Sequence, residues 1–84
     1  MIFTITIKQS AAKALAKIDA PQRKRLIEAI DKLTSNPTAG SVLKGEFTGL
    51  RRIRIGDYRI VYEVQNEQLV ILVVRVAHRR EAYK

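Results

Sequence analysis

The stretch LRRIRIGDYRIVYEV, Leu50 to Val64, sets Arg52, Arg54 and Arg59 around a Gly56-Asp57 step, and the chain closes on HRREAYK, with His78, Arg79, Arg80 and Tyr83. Arginine keeps its charge at any working pH and carries a planar fork of donors that matches phosphate oxygens two at a time. Histidine and tyrosine carry exchangeable protons. Together these side chains can grip a phosphodiester, offset negative charge building on it and assist a proton transfer. The carboxylates, among them Glu46, Asp57, Glu63, Glu67 and Glu81, stand at no metal-ligand spacing, and one histidine with no cysteine builds no zinc site. The expectation is therefore a site with no metal and no cofactor. Cysteine nucleophiles and disulfides are excluded, and Walker and GxSxG patterns are absent.

Such a set suits RNA, which brings its own nucleophile, the 2′-OH. Cleavage by that group needs alignment, charge stabilisation on the pentavalent phosphate and some proton transfer. Arg59 and Arg79 are placed to stabilise charge, while Tyr83 and His78 are the nearby groups with suitable acid/base chemistry. Arg52, Arg54, Arg80 and His78 are candidates for holding the backbone. For a single arginine, a solvated strand face is reason enough. Five arginines with a histidine and a tyrosine on one surface weaken that reading, because like charges repel.

Positioning these residues requires strands. Side chains alternate along a strand, so Ile53 and Ile55 point one way and Arg52 and Arg54 the other. On the next strand Tyr58, Ile60 and Tyr62 share one face, and Arg59, Val61 and Glu63 share its opposite. Helices covering the isoleucine face would leave the arginine face bare, and His78, Arg79, Arg80 and Tyr83, arriving after the last strand, are expected to reach that same surface.

The remaining elements follow from periodicity. IFTITI reads as a first strand, Ile2 to Ile7. Ala11, Leu15 and Ile18 then recur at helical spacing, with Lys13 and Lys17 opposite. A second helix starts at Asp19 or Ala20, with Pro21 in its first turn, lines Leu26, Ile30 and Leu33 along one face, and ends before Pro37. Residues 36–49 read as a loop. Strands Leu50–Ile55, Tyr58–Val64 and Leu69–Val76 follow, the first two joined by a two-residue Gly56-Asp57 turn. The last is apolar on both faces and is expected inside the sheet. The order β-α-α-β-β-β predicts an α+β domain spanning residues 1–84: an antiparallel sheet with an N-terminal helical hairpin on one face.

The 84 residues carry 16 Lys+Arg against 8 Asp+Glu, net +8. Residues 1–43 hold 7 basic and 3 acidic side chains and residues 44–84 hold 9 and 5, so the surplus sits on folded elements rather than on a tail. It predicts attraction to polyanions. MIFTITIKQS is too short in apolar length for a signal peptide, and LVILVVRVA carries an arginine and is too short to span a bilayer. A cytoplasmic protein with no membrane partner is expected.

LKGEFTGLRRIRIGDYRIVYEV, followed by LVILVVRVAHRREAYK, resembles the RelE/ParE superfamily of bacterial toxins on its RelE side, and the element order extends the resemblance over essentially the whole chain. It implies a RelE-like fold and the toxin of a type II toxin–antitoxin system: a ribosome-dependent mRNA interferase that cuts messages in the decoding site and inhibits translation. It also implies a RelB-like antitoxin that neutralises the toxin, with operator DNA reached only through their complex. By position, Arg52 and Arg54 look like the family's basic pair on the second strand. Arg59 matches the arginine after the hairpin tyrosine, Arg79 the post-strand arginine and Tyr83 the C-terminal tyrosine. His78 stands where many relatives have histidine. ParE-like members share the fold but poison gyrase, and the HRREAY ending favours the RelE side. A non-catalytic RNA-binding module is a third reading, though an aromatic platform is missing.

Overall fold

The computed structural model describes residues 3–43 and 49–78. Strand β1 (Thr4–Ile7) leads into helices α1 (Gln9–Ala16) and α2 (Ala20–Lys32), then β2 (Ser41–Val42), β3 (Leu50–Ile55), β4 (Tyr58–Gln65) and β5 (Val70–His78). The five strands form one sheet in the order β1-β5-β4-β3-β2.

The helices pair because the chain turns tightly between them. Asp19 takes the position before α2 without a side-chain cap, and Pro21 sits in the first turn, where its missing N–H costs nothing. Arg23 reaches back from α2, donating to the Ile18 carbonyl at 3.2 Å and the Ala16 carbonyl at 3.4 Å. A cation there also complements the negative end of the α1 dipole.

Both helices bury their apolar stripes on one face of the sheet. Ala11, Leu15, Leu26 and Ile30 meet Ile60, Val73 and Val76 in the larger core cluster, and Leu33, Tyr62 and Ile71 form the second. Truncating a fully buried residue such as Leu26 to alanine costs about 2–5 kcal/mol in comparable cores.

Two features depart from the expected antiparallel meander. The β3–β4–β5 meander and the β2–β3 pair are antiparallel, but β1 runs parallel to β5, with Thr4 beside Val70 and Ile7 beside Val73, so the sheet is mixed. Between these parallel neighbours the chain runs through both helices and strands β2 to β4, far more than the dozen residues that a parallel pair needs. Where the sequence predicts a loop over residues 36–49, Ser41 and Val42 pair with Arg52 and Arg51 as a short edge strand. The close approach is possible because residue 40 is glycine. A Cβ there would lie 2.7 Å from the Tyr62 hydroxyl oxygen and 2.8 Å from the Arg52 carbonyl oxygen. Strand β5 lies between β1 and β4, as its two-sided apolar sequence requires. Gly56 turns β3 into β4 at φ 59°, a left-handed conformation that costs glycine little.

Candidate functional site

Register assigns every strand side chain to a face. Arg51 lies beside Tyr62, Ile53 beside Ile60 and Ile55 beside Tyr58, all on the helix-covered side. The other side carries Arg52 beside Val61 and Arg54 beside Arg59. The three hairpin arginines expected to share a face do so. Both helices pack on the opposite side, so no helix of the described residues covers them. Arg54 is exposed, and Arg52 and Arg59 are half-buried.

Arg54 and Arg59 are direct cross-strand partners. Opposed side chains in an antiparallel pair stand about 4.5–5.5 Å apart at Cβ, and like charges there destabilise the pair. A sheet selected for stability alone would put an opposite charge or an aliphatic residue at one of the two positions. Glu63, the one carboxylate on the described strands, shares this face and accepts a hydrogen bond from Gln65 Nε2 at 2.7 Å.

Strand β5 adds a residue that the sequence reading passed over. A bulge breaks the β4–β5 ladder between Val61 and Tyr62: Tyr62 pairs with Val73, but Val61 pairs with Arg75, leaving Val74 as the extra residue. Strict alternation from the buried Ile71 and Val73 would have sent Arg75 towards the helices. The bulge reverses the parity, so Val76 is buried at 4% exposure and Arg75 stands exposed among the arginines. The signal available beforehand was a lone charge inside an apolar run, which alternation alone misplaces.

The same reversal moves His78. It pairs with Tyr58 and stands edge-on to that ring, centroids 5.3 Å apart at 90°. It lines a cavity of about 500 Å³ with Ser10 and Lys13 of α1 and Lys17 just after that helix. The structure therefore separates His78 from the arginine face it was expected to reach. Arg79, Arg80 and Tyr83 lie outside the described residues.

Arg52 and Arg54 also border an open groove of about 810 Å³ between β3 and α2, where Arg25, Glu28 and Lys32 form the far wall. Beyond Arg52 strand β3 has no strand neighbour on this side among the described residues, because β2 begins only at Ser41, opposite Arg52. Among the described residues no three His, Cys, Asp or Glu side chains gather as a metal site would need, and no helix is long and apolar enough to cross a membrane. Ala77, beside Arg59 on this face, is buried, while Arg54 and Arg75 are exposed, and the arrangement can bind a polyanion through several guanidinium forks and stabilise added negative charge.

The model of a family described as the ParE toxin of the type II toxin–antitoxin system parDE matches residues 5–83. Among curated proteins, toxin RelG of Mycobacterium tuberculosis is 28% identical over 86 residues, covering 100% of this chain and 99% of the relative. Among solved structures, the toxin–antitoxin complex RelBE2 of Mycobacterium tuberculosis contains a chain that is 27% identical with a TM-score of 0.86, covering 94% of this chain and 100% of that one. The archaeal RelE–RelB complex of Pyrococcus horikoshii OT3 contains one that is 32% identical with a TM-score of 0.79, covering 94% and 97%.

Proposed function

The chain belongs to the ParE toxin family of type II toxin–antitoxin systems, on its RelE side, and from that membership we propose that it is a ribosome-dependent endoribonuclease that cleaves mRNA in the decoding site and so inhibits translation. The observation that carries the reading is the direct opposition of Arg54 and Arg59 on an open sheet face that Arg52 shares. The arrangement gathers positive charge on one face of the sheet, which favours a polyanion as its ligand.

In the proposed step the 2′-oxygen of one nucleotide attacks the adjacent phosphorus, and the bond from phosphorus to the 5′-oxygen breaks. The 2′-hydroxyl loses its proton and the departing 5′-oxygen gains one. Arg59 and Arg79 stabilise the added charge on the phosphate, while Arg52, Arg54 and Arg80 hold the backbone. Tyr83 is the proposed proton-transfer group, since His78 is turned towards α1 and Tyr58. No metal is needed, because the charge stabilisation comes from guanidinium groups.

A site of this kind is rich in cations and poor in base. Arginine does not give up its proton, and tyrosine has a reference pKa near 10. Alignment can compensate, since a held in-line geometry contributes roughly 7–11 kcal/mol towards a barrier. A message gripped by the ribosome supplies that geometry, whereas free RNA binds the cationic face in many registers. The partners proposed are therefore the ribosome, the message and a RelB-type antitoxin, all in the cytoplasm; the antitoxin neutralises the toxin and carries their complex to operator DNA.

The test is the cleavage rate on one mRNA with and without programmed ribosomes, with a second substrate that is 2′-deoxy at the cut. Strong dependence on ribosomes and no cleavage at the deoxy position are expected. Rates within about tenfold of each other, some 1.4 kcal/mol, would exclude the ribosome as an essential part. The ParE name of the matching family model favours one second reading, a gyrase-directed toxin. Gyrase-linked DNA breaks on induction, with intact messages, would establish it instead.

A further inference from the structure

We propose that Arg75 is a further message-binding residue, which with Arg52 clamps a backbone phosphate next to the scissile one; the inference rests on reading the open sheet face as the RNA surface. Cross-strand register arranges that face in rows. One row holds Arg54, Arg59 and the buried Ala77, and the next holds Arg52, Val61 and Arg75. The rows are two residues apart along the strands, about 6.7 Å, a step that a stretched ribonucleotide backbone can match.

Within the second row, Arg52 and Arg75 flank Val61 from β3 and β5, two strand spacings or about 9.6 Å apart. Val61 is short and half-buried, so it leaves a shallow floor between two long cationic side chains. Two guanidinium-bearing residues on either side of such a floor suit one phosphate approached from both sides. With Arg54 and Arg59 on the neighbouring phosphate, the message would lie along the strand direction.

The bulge is what brings Arg75 to this surface. Bulges interrupt the hydrogen-bond ladder and recur beside active sites, where they re-aim a side chain. Here a single extra residue, Val74, buries Val76 and moves Arg75 onto the face already occupied by Arg52, Arg54 and Arg59.

The experiment measures binding of a 2′-O-methyl single-stranded oligoribonucleotide, which cannot be cut by 2′-OH attack, to the full chain over a range of salt concentrations. Each phosphate neutralised on a single strand contributes about 0.7 to the slope of log affinity against log salt. Arg75→Ala is expected to weaken binding about tenfold, as befits one charge-assisted contact, and to make the slope shallower by about 0.7. Arg75→Lys should restore most of the slope, since a phosphate contact needs charge more than shape. A thermal unfolding curve on each variant confirms equal folding, and Lys24→Ala on the exposed side of α2 serves as control. An equal loss in the Lys24 variant would mean diffuse attraction and overturn the inference. So would an unchanged slope for Arg75→Ala alongside a flattened one for Arg52→Ala, with the proposed function left standing. Failure of the unmodified protein to bind the oligonucleotide at all would remove the proposed function itself.

Discussion

On the helix side of β3, Arg51 donates to the Gly40 carbonyl at 2.8 Å and helps hold the loop that carries β2. Nearby, the buried Tyr62 hydroxyl donates to the Pro37 carbonyl at 2.8 Å and accepts from the Gly40 N–H at 2.9 Å. On the open side, one residue further along, Arg52 joins a surface where Arg54 and Arg59 face each other with like charge. The first set obeys the rules of a stable interior, in which polar groups meet complementary partners. The second breaks the cross-strand rule of charge pairing. Neighbouring arginines of one strand thus stand in opposite settings, and strand alternation separates them.

The sharpest way to break this comparison is to remove charge from the proposed RNA site, at Arg59 on the open face and at Arg79 beyond the described residues. Arg59→Ala and Arg79→Ala should each lower ribosome-programmed cleavage by about 100- to 1,000-fold, the scale of a lost transition-state contact. Stability should change by no more than about 0.5 kcal/mol, as for surface substitutions generally. Toxicity maintained at matched expression would show that the open face is not the site.

Next in size is the helix-side network. Tyr62→Phe keeps the ring in the core and deletes one hydroxyl, leaving the Gly40 N–H and the Pro37 carbonyl without that partner. A stability loss of about 1–3 kcal/mol is expected. In a domain of this size that lowers the melting temperature by about 4–8 °C per kcal/mol. Cleavage per folded molecule should change far less than in the Arg59 variant, and calorimetry beside a cleavage assay separates the two effects.

The smallest effect carries an unusual sign. Arg54→Thr removes one member of the opposed pair and supplies a good strand former. It should stabilise the free protein by about 0.2–1 kcal/mol while weakening RNA binding. The gain should shrink as salt is added, because exposed charges are screened. Loss of stability in this variant would mean that Arg54 serves the fold.

Much of this architecture is legible in the chain. The helical stripes of Leu15, Leu26 and Ile30, the Gly56-Asp57 turn and the alternation of LRRIRI place the elements and set Arg52, Arg54 and Arg59 on one face, because these signals are local and follow from backbone geometry. The RelE side of the toxin superfamily was legible from motifs as well. Strand β2 was not, since two residues in a loop acquire strand geometry only through their partners Arg52 and Arg51. The parallel direction of β1, against the antiparallel sheet expected, was likewise not legible, because a strand's sequence looks the same whether its neighbour runs parallel or antiparallel.

Residues alone, then, determined a cationic hairpin, its helical cover and the candidate chemistry of Arg52, Arg54, Arg59, Arg79 and Tyr83. The tertiary structure decided where β5 aims its side chains. Its apolar run satisfies either parity, so nothing local says which residue will be left over when β5 pairs with β4. Burial of Ile71 and Val73 at one end and Val76 at the other forces one extra residue between them. That single residue delivers Arg75 to the open face and takes His78 away from it.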